Sequence, residues 1–184
     1  MAEDSFLSLA RFYQQMDKQW DITAAEYHFE CTGCKDNCCT ALFFHHSYIE
    51  KAYFLKGFQT LAADVQKKIL DRAHDYCNKT FRPDAPAKSL KIMCPANDEG
   101  KCLLYHYRPM ICRLHGLPHE VIRPGSEPVM GKGCPAGGFD RFPYKKFDRT
   151  PFYQQMARLE IEFRQASGMS GKIKQSIAQI LMSQ

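Results

Sequence analysis

The chain has 184 residues, a length typical of one folded domain. Hydrophobic residues make up 45% of it and charged residues 24%, which excludes a disordered or low-complexity chain. The formal net charge is +5, and part of this excess would balance metal-bound thiolates, so a nucleic-acid partner is disfavoured. The nine cysteines are an odd number and exclude complete intramolecular disulfide pairing.

The N-terminus and the hydropathy of the chain predict where the protein resides. Residues 1–5 read Met-Ala-Glu-Asp-Ser, with acidic side chains where a secretory signal needs positive charge. No stretch approaches the roughly 18 uninterrupted apolar residues of a membrane span. We therefore expect a cytoplasmic protein without a membrane partner. In that reducing compartment, clustered cysteines bind metal or carry out redox chemistry more often than they form structural disulfides.

Three helices are predicted in the first half of the chain. Apolar residues from Phe6 to Trp20 recur at three- and four-residue steps, the pattern of an amphipathic helix. Ser47 is followed by Glu50 in a capping-box pattern, and a helix is predicted from there to about Phe58. A third helix is predicted from Thr60 to about Lys79.

The middle of the chain is predicted to be irregular. Proline and glycine are frequent between residues 83 and 151, so regular elements there must be short. Short strands are expected at residues 41–44 or 103–107. Such a long irregular region is unusual in a compact domain unless something other than a hydrogen-bonded ladder orders it.

The C-terminal part of the chain is again helical by pattern. Thr150 and Pro151 predict a helix N-terminus with proline in the first helical position, and this helix should end near Gly168. A last short helix is predicted from Ser170 to Met182. With no repeat and no linker, the sequence predicts a mainly α single domain, residues 1–184, with about five helices around a cysteine-rich, loop-rich metal-binding centre.

Four cysteines form a first cluster, Cys31-x-x-Cys34-x-x-x-Cys38-Cys39. Two cysteines separated by two residues can bind one tetrahedral metal ion, and Gly33 would supply the tight turn between them. Turn-forming residues within the cluster favour a loop. The adjacent side chains of Cys38 and Cys39 point in different directions, so we expect one of them to serve a second site, another iron of a cluster, or packing.

Four more cysteines lie in the irregular middle region: Cys94, Cys102, Cys112 and Cys134. We predict all eight as metal ligands. Arg108 and Arg113 flank Cys112, and guanidinium groups stabilise nearby thiolates and donate hydrogen bonds to sulfur. The ninth cysteine, Cys77, lies on the apolar stripe of a predicted helix, so we expect it to be a core residue.

Two histidines near Cys112 are further candidates for the site. His106 and His115 lie on either side of it, and either could be a ligand or a proton carrier. For each histidine taken singly, a solvated or core position is the favoured interpretation.

The combined motif resembles the YkgJ-type cysteine-cluster family, which is described as a zinc- or iron-chelating CxxCxxxCC domain. The resemblance covers about residues 28–135. Its matched positions are the first cluster, Cys94-Pro95, and Cys102-x-x-Tyr105-x-x-Arg108-Pro109-x-x-Cys112-Arg113. Family chains often have an aromatic-Pro pair after the Cys-Arg, where this chain has Leu114 to Pro118, so the local surface is expected to differ. A flagellin lysine methylase is similar in its cysteine region.

A donor set of sulfur alone suits zinc or an iron-sulfur cluster and disfavours magnesium and calcium. The spacing is not that of bacterial ferredoxins, and it reverses the Cys-x-x-x-Cys-x-x-Cys motif of radical enzymes. The resemblance and the arginines favour an iron-sulfur cluster, [4Fe-4S] before other types, with zinc as the alternative.

These residues predict a cytoplasmic metal-cluster protein with redox or electron-transfer service and an unidentified redox or protein partner. Two alternatives stay open. One is a cluster-dependent enzyme that modifies proteins, as the similarity to a methylase implies. The other is a structural zinc module for a macromolecular partner.

Overall fold

The computed structural model describes residues 2–31, 38–82 and 91–184. Within them the helices are α1 (Ala2–Glu26), α2 (Tyr48–Gln59), α3 (Ala63–Thr80), α4 (Met110–Leu114), α5 (Thr150–Ser167) and α6 (Ile177–Met182). The strands are β1 (Asn97–Asp98), β2 (Lys101–Cys102), β3 (His119–Val121) and β4 (Val129–Gly131). Strand β1 pairs with β2 and β3 with β4, both antiparallel. The predicted mainly α fold is confirmed.

The chain folds as two compact units, and each is built from two separate segments. Unit 1 comprises Met1–Thr32 and Met110–Met169, and unit 2 comprises Gly33–Pro109 and Ser170–Gln184. The expectation of a single domain stays a prediction. Of the described helices, none combines the length and the apolar character needed to cross a bilayer.

Unit 1 has its core between α1, α4 and α5. The three- and four-residue steps seen in the sequence place Leu9, Phe12 and Met16 of α1 in the interior, where all three are buried. Leu159 and Phe163 of α5 are buried as well. Helix α1 extends beyond the predicted Trp20 to Glu26.

Unit 2 has its core where α3 packs against α6 and where α2 contacts the same helix. Ile69 and Ala73 of α3 and Ile180 of α6 have no exposed surface. Cys77 packs against this core and is partly buried, in agreement with its predicted position on the apolar stripe of α3.

Helix α2 begins where the capping-box pattern predicted it, but the capping interaction is different. The hydroxyl of Ser47 donates to the Glu50 carboxylate, with 2.5 Å between Oγ and Oε2, and makes no cap with the backbone. The following helix begins at Ala63 instead of Thr60. Thr60 instead terminates α2, because its N–H and its hydroxyl both donate to the Gly57 carbonyl, at 3.1 and 2.7 Å.

Helix α5 ends as predicted, since Gly168 follows it in the left-handed conformation with a φ of 69°. Its start is shifted by one residue. Thr150 is the first helical residue and not the N-cap, and its hydroxyl accepts a hydrogen bond from the Ile122 N–H at 2.8 Å.

The predicted start of the last helix at Ser170 is wrong. Gln175 exchanges two backbone hydrogen bonds with His45, 2.8 and 3.1 Å long, so the chain before Ser176 is extended. Helix α6 then begins at Ile177, with Ser176 and Gln179 forming a capping box.

Both predicted strand positions are also wrong. Residues 41–44 form no strand, and residues 105–107 form a 3-10 turn. The two hairpins form elsewhere, at β1–β2 and β3–β4.

Candidate metal centre

Four of the predicted ligands lie together in unit 2: Cys38, Cys39, Cys94 and Cys102, here called the thiol quartet. Cys38 begins a 3-10 turn, Cys38–Thr40, and Cys39 is its second residue. The Cys94 N–H donates to the Cys39 carbonyl at 2.8 Å, which joins two distant parts of the chain. The first cysteine cluster and the irregular middle region therefore meet at this point.

A tight hairpin brings the fourth thiol to the same place. Strands β1 and β2 pair with Asn97 opposite Cys102. Glu99 and Gly100 connect them, both with positive φ (48° and 86°), as a two-residue hairpin turn requires. The Asn97 N–H donates to the Cys94 carbonyl at 2.9 Å, so Cys94 and Cys102 are held on either side of Asn97.

Cys39 and Cys94 differ sharply in acidity. A hydrogen bond from the Cys38 thiol, and a weaker contribution from the Asn97 side chain, lower the pKa of Cys39 to about 6 despite partial burial. Burial raises the pKa of Cys94 to about 12, and the nearby Cys39 and Cys102 sulfurs add to this. Without a metal, Cys39 is therefore a thiolate at neutral pH, whereas Cys94 keeps its proton. A bound cation would reverse that preference.

Two residues of this region were not predicted from the sequence. Asn97 is buried, and its Oδ1 accepts from the Gly100 N–H at 3.0 Å, which leaves its amide N–H group for the Cys39 sulfur. Tyr76 of α3 is buried, and burial raises its pKa, with Cys94 and Cys77 contributing. The turn-forming run Asn97 to Gly100 between two cysteines was the available signal for Asn97.

The remaining predicted ligands are distributed differently. Cys31, Cys112 and Cys134 belong to unit 1: Cys31 is exposed, Cys112 is in α4, and the Cys134 N–H donates to the Gly116 carbonyl at 2.7 Å. Cys34 lies outside the described residues. Each of the eight described cysteines is a thiol that is not part of a disulfide.

The thiols of the quartet are neighbours without being in coordination geometry. Across residues 2–31, 38–82 and 91–184, no three His, Cys, Asp or Glu side chains are placed to hold one metal ion. The chemistry of the quartet nevertheless fits a soft metal, because its donors are all sulfur and one of them is already ionised.

The two predicted arginines lie in different units. Arg113 is buried in unit 1, where its Nη1 donates to Asp17 of α1 at 2.5 Å and its guanidinium stacks on the Tyr13 ring at 4.0 Å. It therefore helps to join α4 to α1. Arg108 is in unit 2 and stacks on the Tyr105 ring at 3.7 Å.

The two predicted histidines are likewise separated between the units. His106 is exposed and makes an edge contact with Tyr105, with 5.8 Å between the ring centroids. His115 is partly buried, and burial, followed by the charge of Arg149, lowers its pKa. Its carbonyl accepts a hydrogen bond from the Trp20 indole at 2.9 Å.

Comparisons with family models, with curated proteins and with solved structures find no match to this chain. The resemblance to the cysteine-cluster family therefore stays a prediction from the motif residues alone.

Proposed function

We propose that the protein is a cytoplasmic metal-cluster protein that binds an iron-sulfur cluster through the thiol quartet and serves in redox or electron-transfer chemistry. The observation that carries this proposal is the meeting of four thiols from two distant chain segments in unit 2. Four thiolates are the ligand number of a [4Fe-4S] cluster and of a structural zinc site.

The surroundings of the quartet favour a bound cation. Cys39 is ionised near neutral pH, as a ligand must be, and the buried Asn97 amide donates a hydrogen bond to its sulfur. Hydrogen bonds to ligand sulfur raise the reduction potential of iron-sulfur clusters. A cluster, when bound, supplies one-electron chemistry, and Asn97 and Tyr76 would orient and cover its ligands.

The motif similarity favours iron-sulfur over zinc, and zinc is the alternative ion for the same four sulfurs. Cys31, Cys34, Cys112 and Cys134 stay predicted ligands as well. The absence of disulfides among the eight described cysteines is compatible with a reducing cytoplasm.

Replacement of a quartet ligand tests the proposal. We expect Cys94→Ser to lose most of the bound iron and sulfide after anaerobic purification, because serine oxygen is a poor ligand for iron-sulfur iron. Cys77→Ser is the matched control, since Cys77 packs on the core of α3 and should leave the metal content unchanged. Metal and sulfide analysis, with circular dichroism to verify folding, gives the result.

Full metal content in Cys94→Ser would contradict the proposal. Stoichiometric zinc in the wild type, lost in Cys94→Ser, would assign the quartet to zinc instead of iron.

A further inference from the structure

The basic excess of the chain belongs entirely to unit 2. This unit contains 14 Lys and Arg against 8 Asp and Glu, a net charge of +6, whereas unit 1 contains 11 against 12, a net charge of −1. The unit that holds the thiol quartet is therefore the positive one. A [4Fe-4S] cluster with four thiolates would lower its charge by about two and leave it basic.

Two of the three aspartates of α3 pair with lysines of the same helix, and these pairs carry no net charge. Lys67 pairs with Asp71 at 2.8 Å, and Lys79 pairs with Asp75 at 2.6 Å. Lys172 and Lys174, which precede α6, are exposed. The Nζ of Lys174 lies 4.6 Å from the centroid of the Phe44 ring.

A row of aromatic rings leads from this surface to the quartet. Phe44 and Phe81 have ring centroids 6.4 Å apart, and Phe81 and Tyr76 are also 6.4 Å apart. Phe81 is 37% exposed, whereas Tyr76 is buried in the core cluster of unit 2 against which Cys94 packs. The rings therefore run from the exposed Phe81 surface into the core against which Cys94 and Cys102 pack.

We propose that an acidic electron-transfer protein docks on the face formed by Phe44, Phe81, Lys172 and Lys174, here called the docking face. This inference rests on the proposed function, because it names the class of partner that exchanges electrons with that centre. Charge complementarity accelerates association, and exposed aromatic surface strengthens the contact. If the quartet held a cluster, one electron would pass to it from the reduced iron-sulfur centre of the partner, with no bond or proton moved.

The docking face suits a protein better than a nucleic acid. Single-stranded nucleic acid requires successive stacking rings along a basic groove. Among the described residues of unit 2, the exposed large aromatic side chains are Phe81 and Tyr105, and the Arg108 guanidinium already covers the Tyr105 ring at 3.7 Å. One exposed ring, Phe81, next to the Lys174–Phe44 pair suits a small protein contact.

The experiment measures binding of the full chain to an acidic plant-type [2Fe-2S] ferredoxin in its oxidised form, so that no electron transfer is required. We expect wild-type affinity to fall as ionic strength rises, and Lys174→Glu to weaken it roughly threefold to tenfold at low salt. Lys18→Glu makes the same charge change at an exposed position of α1 in unit 1 and should bind like the wild type.

Lys172→Glu provides a second variant, and the rate of electron transfer from reduced ferredoxin should fall in parallel with affinity. Wild-type affinity in both lysine variants, or binding that ignores salt, would overturn the proposal. The proposal would also be overturned if these variants lost binding to an oligonucleotide while their affinity for ferredoxin stayed unchanged.

The absorption spectrum of the same samples separates this proposal from the proposed function. A protein that contains a cluster but binds ferredoxin independently of Lys174 contradicts the docking face alone. A protein that lacks iron-sulfur absorption but binds ferredoxin through Lys174 contradicts the redox function alone.

Discussion

Cys39 is the side chain on which the chemistry of the thiol quartet depends most. Its pKa of about 6 results mainly from the hydrogen bond that the Cys38 thiol donates to it. Adjacent cysteines usually compete for space around one ion, whereas here one of them makes the other ionise near neutral pH. The Cys38-Cys39 pair would therefore have a function even if only one member bound a metal.

Removal of the donor tests this interpretation. In metal-free Cys38→Ala, we expect the pKa of Cys39 to rise from about 6 toward its ordinary value of 9.0, because its largest stabilising contact is lost. The pH dependence of alkylation by iodoacetamide, mapped to Cys39 by mass spectrometry, measures the change.

Cys77→Ala is the control, since burial raises the pKa of Cys77 and it does not contribute to that of Cys39. An unchanged Cys39 titration in Cys38→Ala would show that the Cys38 hydrogen bond does not set the acidity of Cys39.

His45 makes the stability of the fold depend on pH. It is 3% exposed, and burial, with a smaller effect of His46, lowers its pKa from 6.5 to about 4. The unfolded chain therefore binds more protons than the folded one between these values. The stability that the neutral His45 ring contributes is fully present above about pH 6.5 and is lost as the pH falls toward 4.

We expect this effect to remove about 2 kcal/mol from the free energy of unfolding between about pH 7.5 and about pH 4.5. Urea unfolding at the two pH values measures it, and His45→Gln should show a correspondingly smaller dependence. Equal pH dependence in the two proteins would mean that His45 is not buried as a neutral ring.

At the scale of elements, α2 and the 3-10 turn Tyr105–Tyr107 pack without space between them. A Cβ at Gly57 would overlap the Tyr107 ring, and that ring also contacts Tyr53, with centroids 5.0 Å apart. The Tyr105–Tyr107 turn begins three residues after Cys102, so this contact helps to fix the chain on one side of the quartet.

Gly57→Ala should therefore destabilise the protein, although alanine is normally favoured over glycine within a helix by about 1 kcal/mol. We expect a net loss of about 1 to 3 kcal/mol from overpacking, measured by urea unfolding. In a Tyr107→Ala background the ring is absent, and Gly57→Ala should become stabilising. Stabilisation in both backgrounds would contradict the close packing.

The sequence predicted those elements that depend on local signals. Helix α1 follows from its apolar period, and the end of α5 follows from Gly168. The start of α6 could not be predicted, because Gln175 is extended by hydrogen bonds to His45, which is distant in the sequence. The site, too, was predictable only where local signals exist. Cysteine spacing indicated the ligands, whereas only the folded hairpin brings Asn97 to Cys39.

For the whole molecule, neither the nine cysteines nor the net charge of +5 is distributed evenly over the two units. The quartet and the entire basic excess belong to unit 2, while Cys31, Cys112 and Cys134 belong to the nearly neutral unit 1. Unit 2 is formed by a long central segment and the C-terminal segment, so the metal and its docking face would depend on residues 170–184 as well as on the cysteine motif.

The absorption spectrum of the anaerobically purified full-length protein, recorded together with its iron, sulfide and zinc content, tests the central claim most directly. We predict a brown protein with broad visible absorption that bleaches on reduction, and about four iron and four sulfide per chain for one [4Fe-4S] cluster. A colourless protein that contains neither iron nor zinc would contradict metal binding by the quartet.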